Sequence, residues 1–232
     1  MAAGKGTRMN TELPKVLHQL KNKSMIEHVI EQTEKINPNK LIVIVGYKAD
    51  LVRRQLVNYN IEYAEQLEQL GTGHAIMQCQ SALKDFNGDT LILSGDVPLI
   101  TANTLSALYK LHINGKSQGT VLSASMHDPT GYGRIIRNND SFISIVEQKD
   151  ASDDQKKINE INTGIYIFDN QTLFENINKI DNNNNQSEYY LPDVLPVMLD
   201  NNCKIMVHKT DNELEIKGIN TQEDLHDIEK QI

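Results

Sequence analysis

Apolar positions along the chain switch between two spacings, and the switching predicts the architecture. Met25, Ile26, Val29, Ile30, Thr33 and Ile36 recur at helical spacing, with Ser24 available as N-cap and Asn37-Pro38 to stop the turn. Leu41-Ile42-Val43-Ile44-Val45 follows as an unbroken, mostly β-branched run ended by Gly46, the pattern of a strand buried on both faces. A helical pattern returns from Asp50 to Val57, Ile61-Glu62-Tyr63 reads as a short strand, and a further helix is expected through Ala82. Leu91-Ile92-Leu93 is the next buried strand, with Ser94-Gly95-Asp96 at its carboxyl end, where open parallel sheets collect ligands. Thr101 to Leu111 reads as a helix and Thr120 to Ser125 as a strand, so the succession predicts a doubly wound α/β sheet.

From Pro129 the texture changes to shorter β segments, 134–136, 143–146 and 164–168, broken by polar loops. Residues 151–157 are charged and expected to be exposed, and Asp181 to Asn185 forms a polar loop with no assigned role. Tyr190 to Leu199 suggests a helix interrupted by Pro192 and Pro196, Lys204 to His208 a late strand, and Thr221 the start of a closing helix through Ile228. No internal repeat of fixed period occurs.

Composition narrows the partners. The 232 residues, 39% hydrophobic and 23% charged, suit one soluble domain, and the net charge of −8 argues against a broad nucleic-acid or membrane surface. Any nucleotide must then be held by a local basic site. Cys79 and Cys203 lack metal-ligand spacing and read as thiols in a reducing compartment. No apolar run reaches spanning length and no signal-peptide pattern opens the chain, so a cytoplasmic protein is expected. His-Glu-x-x-His and Gly-x-Ser-x-Gly are both absent.

The candidate basic site is the opening stretch, Met1-Ala2-Ala3-Gly4-Lys5-Gly6-Thr7-Arg8-Met9, followed by Leu13-Pro14-Lys15-Val16-Leu17. Small residues allow a backbone to lie close to a flat or anionic ligand, and Arg8 and Lys15 supply cations for phosphates. The stretch matches neither Gly-x-x-x-x-Gly-Lys-Ser/Thr nor Gly-x-Gly-x-x-Gly. On the residues alone, Asp96 serves equally as a turn or cap after a strand, Asn220 as the flank of a helix, and Glu147 as an exposed strand end.

Ala-Ala-Gly-x-Gly-Thr-Arg-Met with the following Pro-Lys resembles the signature of the sugar nucleotidyltransferases, and Pro14-Lys15-Val16-Leu17-His18 resembles the N-acetylglucosamine-1-phosphate uridylyltransferases among them. Residues 66–75, 95–99, 131–135, 146–150, 162–164 and 188–191 resemble that family's blocks in the same order. The resemblance implies a Rossmann-like α/β fold, a mostly parallel mixed sheet with helices on both faces. It implies one domain over 1–232, with a nucleotide-binding half to about residue 125 and a sugar-binding half from about 126.

The implied activity is Mg²⁺-dependent transfer of UMP from UTP to N-acetylglucosamine 1-phosphate, giving pyrophosphate and UDP-N-acetylglucosamine for cell-wall precursors. By resemblance Arg8 and Lys15 are the catalytic cations, and Asp96 and Asn220 the metal ligands. Ala2, Ala3 and Gly4 lie against the uridine, while Gln66, Gly71 and Thr72 read uracil and nearby atoms. Gly95 belongs to the Gly-Asp block, and Gly133, Glu147 and Asn162 hold the amino sugar. Two alternatives stay open: another sugar-1-phosphate nucleotidyltransferase, and a non-catalytic sugar-nucleotide binding remnant.

The second alternative comes from a departure. In the family a buried strand precedes Ala-Ala-Gly, and here Met1 stands in its last position, so a central strand is expected to be missing or supplied otherwise. No hexapeptide repeats of a left-handed β-helix follow, so acetyl transfer and its trimer are not expected, and a monomer is.

Overall fold

The structure, a computed structural model, describes all residues from Met1 to Ile232. In chain order its elements are β1 (Gln19–Leu20), β2 (Lys23–Ser24), α1 (Met25–Glu34), β3 (Ile42–Val45), α2 (Ala49–Gln55), β4 (Glu62–Glu65), α3 (Thr72–Met77), α4 (Gln80–Leu83), β5 (Asp89–Ile92) and α5 (Ala102–Gly115). There follow β6 (Gly119–Ser125), β7 (Arg134–Asn138), β8 (Ser141–Val146), α6 (Asp153–Lys156), β9 (Glu160–Asp169), α7 (Asn170–Asn176), α8 (Val194–Asp200), β10 (Ile205–Thr210) and α9 (Gln222–Glu229). No helix is long and apolar enough to cross a membrane.

The chain divides into two compact units, and the first is assembled from three stretches, Met1–Gln69, Leu93–Leu105 and Leu214–Ile232. The expected boundary near residue 125 falls at the end of β6, inside the second unit. In the first unit β3 and β4 pair in parallel, and Val43, Val45, Val52, Leu56, Ile26 and Ile30 form a core with Ala2, Val16 and Leu17. α1 begins where Glu27 reaches back, its carboxylate accepting from both the backbone N–H and the hydroxyl of Ser24, which satisfies the exposed first turn. A smaller core of Leu20, Met25, Ile219 and Ile228 binds α9 to the segment after β1.

Within this unit the first residues tie β3 to the segment around Leu93. The Ala2 N–H donates to the Ile44 carbonyl at 2.8 Å, the Met1 ammonium to Leu93 at 2.7 Å, and the Gly95 N–H to the Met1 carbonyl at 2.9 Å. Ala2 and Val45 form a single parallel bridge.

The second unit, Leu70–Ile92 with Ser106–Glu213, carries a mixed sheet in the order β10-β6-β9-β7-β8, with β5 also pairing β9. β10 runs parallel to β6, whereas β9 runs antiparallel to β5, β6 and β7. The antiparallel share is larger than the early alternation of strands and helices suggests, because one long strand, β9, serves three neighbours. The register between β6 and β9 shifts at Val121/Ser123, and Gly164 opposite this irregularity takes φ +76°, a conformation that favours glycine. Cys79 is buried, Cys203 half-buried, and both are free thiols.

One sequence expectation needs local correction. The helix through Ala82 breaks after α3, because the Gln78 carboxamide takes the His74 carbonyl at 3.0 Å while the Gln78 backbone N–H turns to Ala75 instead. The Asn run forms the polar loop expected of it and supplies its own hydrogen bonds. Asn184 Oδ1 accepts from the N–H groups of Gln186 and Glu188, and Asn185 bonds Lys149 and Asp150.

Candidate active site

In the first unit, four of the sequence-predicted residues meet although they lie up to 212 positions apart. The Lys15 ammonium pairs with Asp96 Oδ2 and also donates to Asn220 Oδ1 at 3.1 Å. Arg8 donates to the same Asn220 oxygen at 2.8 Å. Backbone contacts fix this arrangement: the Ile219 N–H donates to the Asp96 carbonyl at 2.9 Å, and Gln222 Nε2 to the Met9 carbonyl at 3.2 Å.

Each side chain arrives from a distinct local device. Gly6 sits at φ +66°, so the chain turns into the short helix Thr7–Met9 that presents Arg8. Pro14 opens the turn Lys15–Leu17, whose Val16 and Leu17 are buried and so anchor the lysine. Asp96 follows the Leu93–Gly95 stretch that bonds Met1, and a Cβ on Gly95 would come within 3.0 Å of the Met1 carbonyl. Asn220 precedes α9, whose Asp224 carboxylate accepts from the N–H groups of Asn220 and Thr221 at 2.9 Å each. The helix-flank reading of Asn220 is therefore also true of its backbone, which leaves its carboxamide oxygen to the cations.

The donor set suits a magnesium-like ion. One carboxylate and one carboxamide oxygen already converge on a single cationic nitrogen, and a hard divalent cation prefers few protein oxygens supplemented by phosphate and water. No group of three or more His, Cys, Asp or Glu forms a cage elsewhere.

The Ala3 carbonyl accepts from the Tyr47 N–H at 3.0 Å. Gln66 is buried, with its backbone N–H on the Val45 carbonyl at 2.8 Å. Sequence reasoning missed Gly46, which lies between them: a Cβ there would fall 2.8 Å from both the Ala3 and Gln66 carbonyls. The glycine ending the apolar run was the available signal. Gly4, by contrast, has open space around its Cβ position.

The remaining predicted residues are in the second unit. Gly71 takes φ +108°, and a Cβ on it would strike the Tyr189 carbonyl at 2.5 Å. The Thr72 hydroxyl accepts from the Leu191 N–H at 2.9 Å, so its oxygen supports the backbone of the following segment. Gly133, Glu147 and Asn162 come together. The Asn162 N–H donates to the Gly133 carbonyl at 2.9 Å, and a Cβ on Gly133 would lie 3.1 Å from Glu147 Oε1. Asn162 Nδ2 donates to the buried Tyr166 hydroxyl at 2.7 Å, and its Oδ1 accepts from Gly164. Tyr166 is a second residue that the sequence reading missed, hidden in an apolar strand pattern.

Burial pushes the Glu147 carboxyl up to about 7, with Asp193, Asp150 and Glu188 adding in the same direction and Arg134 opposing. Burial likewise lifts Asp193 to about 6, and pushes the Tyr166 phenol well above its ordinary range. A carboxyl poised near neutrality beside an amide and a glycine can donate or accept toward sugar hydroxyls.

Residues 1–213 match the nucleotidyl transferase family. The chain is 47% identical over 231 residues to the bifunctional protein GlmU of Streptococcus mutans, covering 99% of this chain and 50% of that protein. It is 47% identical over 221 residues to the protein of the same name from Streptococcus sanguinis, covering 95% and 48%. The chain thus spans about half the length of the curated relatives it matches. A UDP-glucose pyrophosphorylase crystallised with UDP-glucose shares the fold, with a TM-score of 0.71 at 17% identity over 99% of this chain and 95% of that one.

Proposed function

The chain belongs to the nucleotidyl transferase family, and on that premise we propose that it transfers UMP from UTP to N-acetylglucosamine 1-phosphate, releasing pyrophosphate and UDP-N-acetylglucosamine. The observation that carries the reading is the Lys15 ammonium held at once by Asp96 and Asn220, with Arg8 on the same Asn220 oxygen. The attacking sugar-phosphate oxygen is already anionic, so the reaction asks for charge neutralisation and alignment more than for acid–base work. Lys15 and Arg8 provide fixed positive charge where it develops on the departing pyrophosphate, an effect worth roughly 3–4 kcal/mol per donor in comparable sites.

Asp96 and Asn220 hold Mg²⁺ in this reading, and the ion supplies further neutralisation of the triphosphate when bound. Ala2, Ala3 and Gly4 form the surface against uridine, Gly95 allows the close packing that aims Asp96, and Gln66, Gly71 and Thr72 read the base. Gly133, Glu147 and Asn162 take the amino sugar. The reading places the work in the cytoplasm, where nucleoside triphosphates are made, in a monomer whose product feeds cell-wall synthesis.

Pyrophosphate release from UTP, Mg²⁺ and N-acetylglucosamine 1-phosphate tests it. Turnover is expected for the wild-type chain and is expected to be lost in Asp96→Ala. An inactive wild type, or full activity in that variant, overturns the reading, and equal turnover of glucose 1-phosphate reassigns the substrate.

A further inference from the structure

We propose that Arg134 is a positioning residue for the amino-sugar site: it locks the backbone of the Gly131–Gly133 loop to Gln148, and so fixes Gly133 opposite Glu147. The inference rests on the functional reading above, because it concerns how that site is held.

Arg134 is among the largest fully buried side chains of the protein, 1% exposed, at the first position of β7. Burying a guanidinium without compensation is costly, and a residue serving the core alone would be better replaced by an apolar one. Its hydrogen bonds go instead to the loop. Nη1 donates to the Tyr132 carbonyl, while Nη2 donates to Gln148 Oε1 at 2.8 Å and reaches the Lys156 carbonyl at 3.4 Å, near the end of α6. Gln148 Oε1 also accepts from the Gly131 N–H at 3.3 Å, which closes a ring from Gly131 through Gln148 and Arg134 to Tyr132. Nε is the only buried side-chain polar atom of the chain with no hydrogen-bond partner. The residue is thus held by the demands of the loop rather than by full satisfaction of its own donors.

The geometry carries the consequence to the sugar site. Gly133 lies between Tyr132 and Arg134, its carbonyl bonded to Asn162, and Glu147 precedes Gln148. Gly133 and Glu147 are therefore bonded directly to members of the ring, and Asn162 is tied to it through Gly133. Gly131 adopts φ +88°, so the loop needs this support in a conformation few residues adopt. Arg134 also opposes the influence of burial, Asp193, Asp150 and Glu188 on the Glu147 carboxyl, and these are the charged groups that face it.

The test is steady-state kinetics on the whole chain with UTP and N-acetylglucosamine 1-phosphate varied separately, for wild type, Arg134→Met, Arg134→Lys and Gln148→Leu. Arg134→Met is expected to raise KM for the sugar phosphate about tenfold with the KM for UTP within about twofold, and Arg134→Lys to recover part of the loss. The pH dependence of the sugar-phosphate KM should move upward in Arg134→Met, because the cation opposing the raised Glu147 carboxyl is gone. If Arg134→Met does not fold, Gln148→Leu keeps the cation and opens the ring, and a severalfold rise confined to the sugar phosphate is expected. Equal losses toward both substrates, an unchanged pH profile in Arg134→Met, or an unchanged sugar-phosphate KM in Gln148→Leu overturns the inference while leaving the functional reading in place. A wild type that turns over no amino-sugar phosphate overturns both.

Discussion

Gly6 and Lys15 share one volume: a Cβ at Gly6 would clash outright with the Cβ of Lys15, and Gly6 takes φ +66° besides. The glycine thus permits both the turn before Arg8 and the path of the lysine toward Asp96. Gly6→Ala should cost about 1–2 kcal/mol from backbone conformation alone and lower kcat more than tenfold as Lys15 is displaced, about 1.4 kcal/mol or more in the barrier. Thermal melts and pyrophosphate release measure the two effects. A melting temperature unchanged in Gly4→Ala, where the Cβ meets nothing, serves as the stability control.

The Lys15 ammonium occupies the same two oxygens that the proposed Mg²⁺ needs. Without nucleotide, a divalent ion must displace it. Lys15→Met is therefore expected to bind Mn²⁺ about tenfold more tightly than wild type when UTP is absent, in line with roughly 1.5–3 kcal/mol for a charged hydrogen bond, while losing turnover. Electron paramagnetic resonance titration of Mn²⁺ reads this directly. Weaker Mn²⁺ binding in the variant would show that the lysine supports the ion instead of competing with it.

Glu147 stands at about 7 against an ordinary 4.5, so the native state binds its proton more tightly than the unfolded chain does. Between those two values the native state carries more protons, and stability must fall as pH rises through the window. Asp193, raised to about 6 from 3.8, adds a fall in the same direction. Glu147→Gln should melt above wild type at pH 8, and the gap should close on acidification toward the lower end of the window. A gap that widens on acidification would contradict the burial that raises this group.

Tyr166 supplies the acceptor for Asn162 Nδ2. Tyr166→Phe leaves a buried amide donor unpaired at a cost of about 1–3 kcal/mol. The loss should appear in the melt and in the KM for the sugar phosphate, with the KM for UTP little changed. Equal effects on both substrates would mean that Asn162 has no preferential role at the sugar.

Much of the fold was legible because the signals were local. α1 and its Ser24 start followed from spacing and capping chemistry, and β3, β4, β6 and β10 from short apolar runs. Elements fixed by distant partners were read short. α5 continues to Gly115, past the expected Leu111, and His112 in this extension is buried, one ring nitrogen on Thr120 and the other on Asp89. β9 begins at Glu160 rather than 164, since Glu160 pairs with Arg137 and Ser123, and the Thr163 hydroxyl donates to the Leu122 carbonyl. Neither tie leaves a mark at short range in sequence. The same division holds at the site. Arg8, Lys15, Asp96 and Asn220 were found through motif register and do converge, whereas Gly46, Tyr166 and Arg134 act through packing that only three-dimensional neighbours reveal.

The three stretches that build the first unit also set a timetable. Lys15 leaves the ribosome early, Asp96 later, and Asn220 only after the whole of the second unit has been made. Until then Asp96 lacks the Ile219 N–H on its carbonyl, and Arg8 lacks its oxygen partner. A nascent chain stalled before Leu214 therefore carries Arg8, Lys15 and Asp96 without the carboxamide oxygen of Asn220 that joins them. In the proposed reading, turnover of UTP therefore waits for the last stretch of the chain to be made.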